Sequence, residues 1–151
     1  MVYLVVSKIE VMQKSYSNTV GNKFYQKVGN LFFAVAMADG SVHSKEVDKL
    51  KSLVRELWLP LDEILDEYGT DAAFQIEIVF DWLLENEKTS AECYTSFTEF
   101  YKEHTVVFSQ KIKILIYETA NAIANSFSGK NKGELMLLGK LQLLFQPAST
   151  T

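Results

Sequence analysis

Two carboxylates and a glycine stand where an apolar run ends. In LFFAVAMADGSVHSKEVDKLKSLV, residues 31–54, the apolar stretch Leu31 to Ala38 leads into Asp39-Gly40, and Glu46 follows in the next segment. Carboxylate oxygens ligate hard cations, and they equally accept hydrogen bonds from the free N–H groups of a turn or a helix start. The spacing Asp39-Gly40-x-Val42-x-x-x-Glu46 serves either chemistry. As a turn, Gly40 takes positive φ after a helix, Val42 plugs the space between two helices, and Glu46 meets the positive end of the next helix dipole. As a metal site, Asp39 and Glu46 fall short of the ~6 oxygens that magnesium or calcium takes. Glu118, Asn121 and Asn125 are spaced to share one helix face, so Glu118 and Asn125 are the candidates to complete such a shell.

Other chemistries find little support in the residues. Positions two and four before Asp39, where a calcium EF-hand loop needs oxygen ligands, hold Met37 and Val35, which excludes an ordinary EF-hand. The two histidines, His43 and His104, have Gly40 and Tyr101 three residues before them, not the glutamate of a ferritin-like di-iron site. HExxH, GxSxG and phosphate-binding-loop motifs are absent from the sequence. Cys93 is the single cysteine, so neither an internal disulfide nor a multi-cysteine zinc site can form. No catalytic residue is assigned, and no cofactor beyond a divalent cation is implied. The alternative is a small enzyme, such as a metal-assisted hydrolase, with its site assembled between helices.

Charge is unevenly distributed along the chain. The net charge of −4 conceals an acidic block from Glu56 to Glu103, where 13 acidic residues face only Lys88 and Lys102. Within it, Glu77, Asp81 and Glu85 form an i, i+4, i+8 ladder that costs a few tenths of a kcal/mol per like-charged pair unless cations answer it. Left unanswered, it would be an acidic surface for a basic partner. Arg55 is the only arginine, which argues against nucleic-acid recognition through bidentate guanidinium contacts.

The elements that must position these residues are helices. With 151 residues, 48% hydrophobic, two prolines and seven glycines, the chain is expected to form one all-α domain, residues 1–151 with a core at about 22–146. Leu31 to Ala38 is too short to span a bilayer, and the start MVYLVVSKIE lacks the layout of a secretory signal; a cytoplasmic protein is expected. Periodicity predicts helices over 7–16, 23–38 and from about 45 to 57, ending near Pro60. A short helix at 61–69 should stop at Gly69, and further helices are expected over 70–89, 90–104 with Ser90 as N-cap, 109–126 and 134–145. The 23–38 helix is apolar all round in its second half and so belongs in the middle of a bundle. The chain also repeats itself: AMADGSVHSKEVDKLKSL can be laid over AIANSFSGKNKGELMLLGKL, which places Asn125 at Asp39 and Glu134 at Glu46 and predicts a pseudo-symmetric bundle of about six to eight helices.

The stretch AVAMADGSVHSKEVDKLKSLV, residues 34–54, is an alanine-rich apolar helix ending in Ala-Asp-Gly, then an aliphatic residue and an acid near the start of an amphipathic helix. In this it resembles the small helical domains of the tellurite-resistance protein B family, also found at the N-terminus of a membrane-bound DnaJ-type co-chaperone. His43 stands where that family usually has serine or threonine, and Asn125 where an aspartate is often seen. The resemblance implies an all-helical pseudo-symmetric fold and a divalent-cation site at the acidic positions. It also implies a non-catalytic role in a stress-response or membrane-associated complex, with protein partners that are basic or membrane-associated.

Overall fold

The computed structural model describes residues 23–38, 44–65, 72–126 and 132–146. Among these the chain is all-α. Its helices are α1 (23–36), α2 (Ser44–Leu65), α3 (Ala72–Glu85), α4 (Ser90–Glu103), α5 (Gln110–Ser126) and α6 (Lys132–Phe145), with a 3-10 turn at Thr105–Val107. Six helices agree with the expected bundle. The helix expected at 7–16, the Asp39-Gly40 turn and the stop at Gly69 lie outside the described residues.

α1 is the axis of the fold. Apolar residues surround its second half, and Val28 and Leu31 to Ala36 are buried, as a helix apolar all round must be in water. Each neighbour touches it in a different way. The Phe32 ring meets the edge of Trp58 on α2 at 5.9 Å between centroids. From α4, Ser90 Oγ donates to the Ala34 carbonyl at 2.7 Å, and Phe24 meets Phe108, in the α4–α5 connection, at 5.3 Å. On the α3 side, Gly29 allows a close approach: a Cβ placed there would lie 3.2 Å from both Cβ and Cγ1 of Val79.

Two further contacts close the bundle. Trp58 Nε1 on α2 donates to Thr119 Oγ1 on α5 at 3.0 Å, and Thr119 Oγ1 donates to the Leu115 carbonyl at 2.7 Å. Both side chains are fully buried, so this chain of bonds satisfies polar groups that would otherwise cost about 1–3 kcal/mol each. At one end Phe108 gathers Phe97, Phe100, Tyr101 and Phe145 into an aromatic cluster, joining α4 to the last turn of α6.

Two local expectations are corrected. Pro60 does not end the second helix: α2 continues to Leu65, at the cost of the one backbone bond that proline removes, on a helix whose earlier turns are anchored in the core by Leu50, Val54 and Trp58. The N-cap of α4 is Thr89, whose side chain accepts from the Glu92 N–H while Glu92 reaches back to the Thr89 N–H, a reciprocal capping box. Ser90 is thereby released to bond α1.

Gly29 and Gly139, both inside helices, separate packing from propensity. Gly29→Leu should overpack the α1–α3 contact and cost about 1–3 kcal/mol. Gly139, whose Cβ would meet nothing within 4 Å, should gain about 0.5–1 kcal/mol on replacement by alanine. Chemical denaturation of the two variants checks both signs.

Candidate functional site

The acidic ladder is the first sequence candidate that the fold reinterprets. α3 lies beside α2, and Arg55 Nη2 donates to both Glu77 oxygens, at 2.7 and 2.9 Å. One turn away, Lys51 Nζ lies 2.8 Å from Asp81. Glu77 is buried while its arginine stays largely exposed, so the pair holds a desolvated carboxylate against a solvated cation. Only Glu85, the third residue of the ladder, points outward without a cation among the described residues. Two of the three charges are therefore spent on joining α3 to α2, and the patch is not single-signed.

The outward face of α3 is apolar instead. Ile76, Phe80 and Leu83 turn to the core, yet Phe74, Ile78 and Trp82, at i, i+4 and i+8 on the other side, stay exposed, Ile78 at 48% and Trp82 at 53%. A helix apolar on both faces is expected inside a protein; here one such face meets solvent. Beside it a groove of about 520 Å³ opens between α1, α3 and α4, with Ile78, Val79, Trp82 and Leu83 on its apolar wall. The signal was present in the sequence as the spacing of Phe74, Ile78 and Trp82. It was masked because the same helix carries the acidic ladder and because its inner residues show a second apolar period.

Cys93 sits at the floor of that groove, buried in α4. Burial, aided by the neighbouring Glu92 charge, pushes its thiol up to about 11, so at neutral pH it is a packed thiol and not a nucleophile.

The positions considered for a metal are only partly described. Asp39, Gly40 and His43 lie outside the described residues. Glu46 is half-buried in the first turn of α2. Lys49, one turn on, donates to the Ser126 carbonyl at 2.7 Å, which brings the C-terminal end of α5, and with it Asn125, to the end of the bundle where α2 begins. Asn125 and Glu118 are both exposed, Glu118 beside a shallow groove with Lys113, Tyr117 and Gln142. Glu134 is the third residue of α6, as Glu46 is of α2, but it is fully buried; the two helix pairs share a layout and differ in burial. Among the described residues no three His, Cys, Asp or Glu side chains converge as a metal-ligand group. No described helix is long and apolar enough to cross a membrane. Compared with protein-family models, curated proteins and solved structures, the chain matches none.

The Arg55–Glu77 contact has a measurable consequence. Arg55→Leu leaves a buried carboxylate without its bidentate donor and should cost about 1–3 kcal/mol. Replacing both residues by leucine should recover much of that loss, since an apolar pair needs no compensation. A double-mutant cycle in urea gives the coupling; a loss unchanged in the double variant would contradict the assignment.

Proposed function

We propose that this chain is a non-catalytic helical module of the tellurite-resistance B kind, acting in the cytoplasm by holding a protein partner within a stress-response or membrane-associated complex. What supports the reading is the outward face of α3. Ile78 and Trp82 are half-exposed on a helix whose opposite face already serves the core, and exposed aromatic and aliphatic side chains in register mark contact surfaces. The ion pairs of α3 with α2 hold that face in a fixed orientation, so little order is lost on binding. The combined variant Ile78→Glu, Trp82→Glu should fold, since neither side chain is buried, and should lose its partners. Quantitative co-purification from the native cells, parent against variant, is the measurement. An identical set of captured proteins would remove α3 from the proposal.

A divalent cation at Asp39 and Glu46 is the second element of the proposal, supported by the acid-glycine-acid spacing. An ion bound only by the folded state raises the melting temperature. The parent is expected to melt higher in millimolar magnesium, calcium or manganese, and Asp39→Asn to lose that shift while keeping a turn acceptor. Equal melting with and without ions in the parent would leave Asp39 and Glu46 as capping residues only.

A further inference from the structure

The groove between α1, α3 and α4 carries a charge pattern opposite to that of the whole protein. Lys27 from α1 and Lys88 from the α3–α4 connection both line it, and both are half-buried. Among the described residues neither ammonium has a carboxylate within ion-pair distance. Lys27 Nζ donates one bond, to Ser96 Oγ at 2.7 Å, which leaves two of its three donors unused. Lys88 Nζ lies over the Trp82 ring, 5.7 Å from its centroid. The single acidic residue on the lining, Glu92, is held in the capping box by the Thr89 N–H. In a chain of net charge −4, two half-buried cations thus share one concave site with the apolar side chains of Ile78, Val79, Trp82 and Leu83.

We infer that this groove binds a small amphiphilic anion, a carboxylate with an alkyl or aryl body. The body lies along Ile78, Val79 and Leu83 under the Trp82 indole, and the carboxylate takes the unused donors of Lys27 and Lys88. The volume of about 520 Å³ is within the range of small-ligand sites, and an apolar wall with a few placed polar groups is their usual composition. An alkylammonium would meet two like charges. A neutral alcohol would gain the apolar contact but not the charge-assisted bonds, which are roughly twice as strong as neutral ones. This site does not require the protein-contact role of α3 proposed above, and its test uses no protein partner.

Trp82 supplies the readout. Trp58 is fully buried and Trp82 half-exposed, so aqueous iodide quenches Trp82 selectively. The full chain is titrated with decanoate and decyltrimethylammonium below their micelle-forming concentrations and with decanol below its solubility limit, while tryptophan emission and iodide quenching are followed. Decanoate should saturably shield Trp82 and bind at least about tenfold tighter than decanol, with decyltrimethylammonium weaker than either. Lys27→Gln with Lys88→Gln should weaken decanoate about tenfold or more and leave decanol unchanged, the retained decanol binding showing that the groove is intact. Equal affinity for decanoate and decanol, unaltered decanoate binding in the double variant, or no saturable shielding of Trp82 would each overturn the inference. None of these results bears on whether Ile78 and Trp82 hold a protein partner.

Discussion

Burial of the apolar second half of α1 is the constraint to which the other helices answer. A helix that is apolar all round in its second half cannot sit at a surface, so α2, α3 and α4 and the α4–α5 connection each have to cover part of α1. The coverage is specific. Trp58 meets Phe32 edge-on, Ser90 reaches the Ala34 carbonyl, Phe108 closes over Phe24, and Gly29 lets Val79 approach to where a Cβ would be only 3.2 Å away. Burying the apolar residues of α1 alone contributes on the order of 1.5–3 kcal/mol for each large side chain. No other single helix among the described residues is so completely enclosed.

The consequence for α3 is geometric. It must turn one apolar face to α1, with Ile76, Phe80 and Leu83 in the core, and it must offer α2 the carboxylates that Arg55 and Lys51 bind. These two obligations fix its rotation about its own axis. Phe74, Ile78 and Trp82 are then left facing outward, and no rotation of the helix could bury them without exposing its inner face. Their exposure follows from the packing and is held by it, which is why a partner reading is attached to that face and not to the acidic residues between.

Electrostatics divide along the same line. On the α2 side of α3 the charges are matched, acid to base. On the α1 and α4 side they are not: Lys27 and Lys88 border the groove while Glu92, the one acid there, is engaged in capping. A chain that is acidic as a whole thus presents a locally cationic, apolar-walled concavity. The linear charge count conceals this, because Lys27 belongs to the basic N-terminal third and Lys88 to the middle of the acidic block.

What the sequence determined by itself was the all-α class, the central place of α1, and most helix spans, because periodicity and the scarcity of helix breakers are local properties that every register of packing must respect. The period of α5 likewise points Ile112, Leu115, Ile116, Thr119 and Ile123 inward, and Ile116, Thr119 and Ile123 are buried while Ile112 and Leu115 are partly so. Packing decided what local pattern could not: that α2 runs through Pro60 to Leu65, and that Ser90 serves α1 while Thr89 caps α4. It also decided that Glu77 and Asp81 are structural, because their partners Arg55 and Lys51 lie on another helix and are distant in sequence. The groove is the clearest case. Its lysines and its apolar wall come from α1, α3, α4 and the α3–α4 connection, segments that share no sequence period, and only their convergence around α1 places two lysines and a tryptophan on one groove.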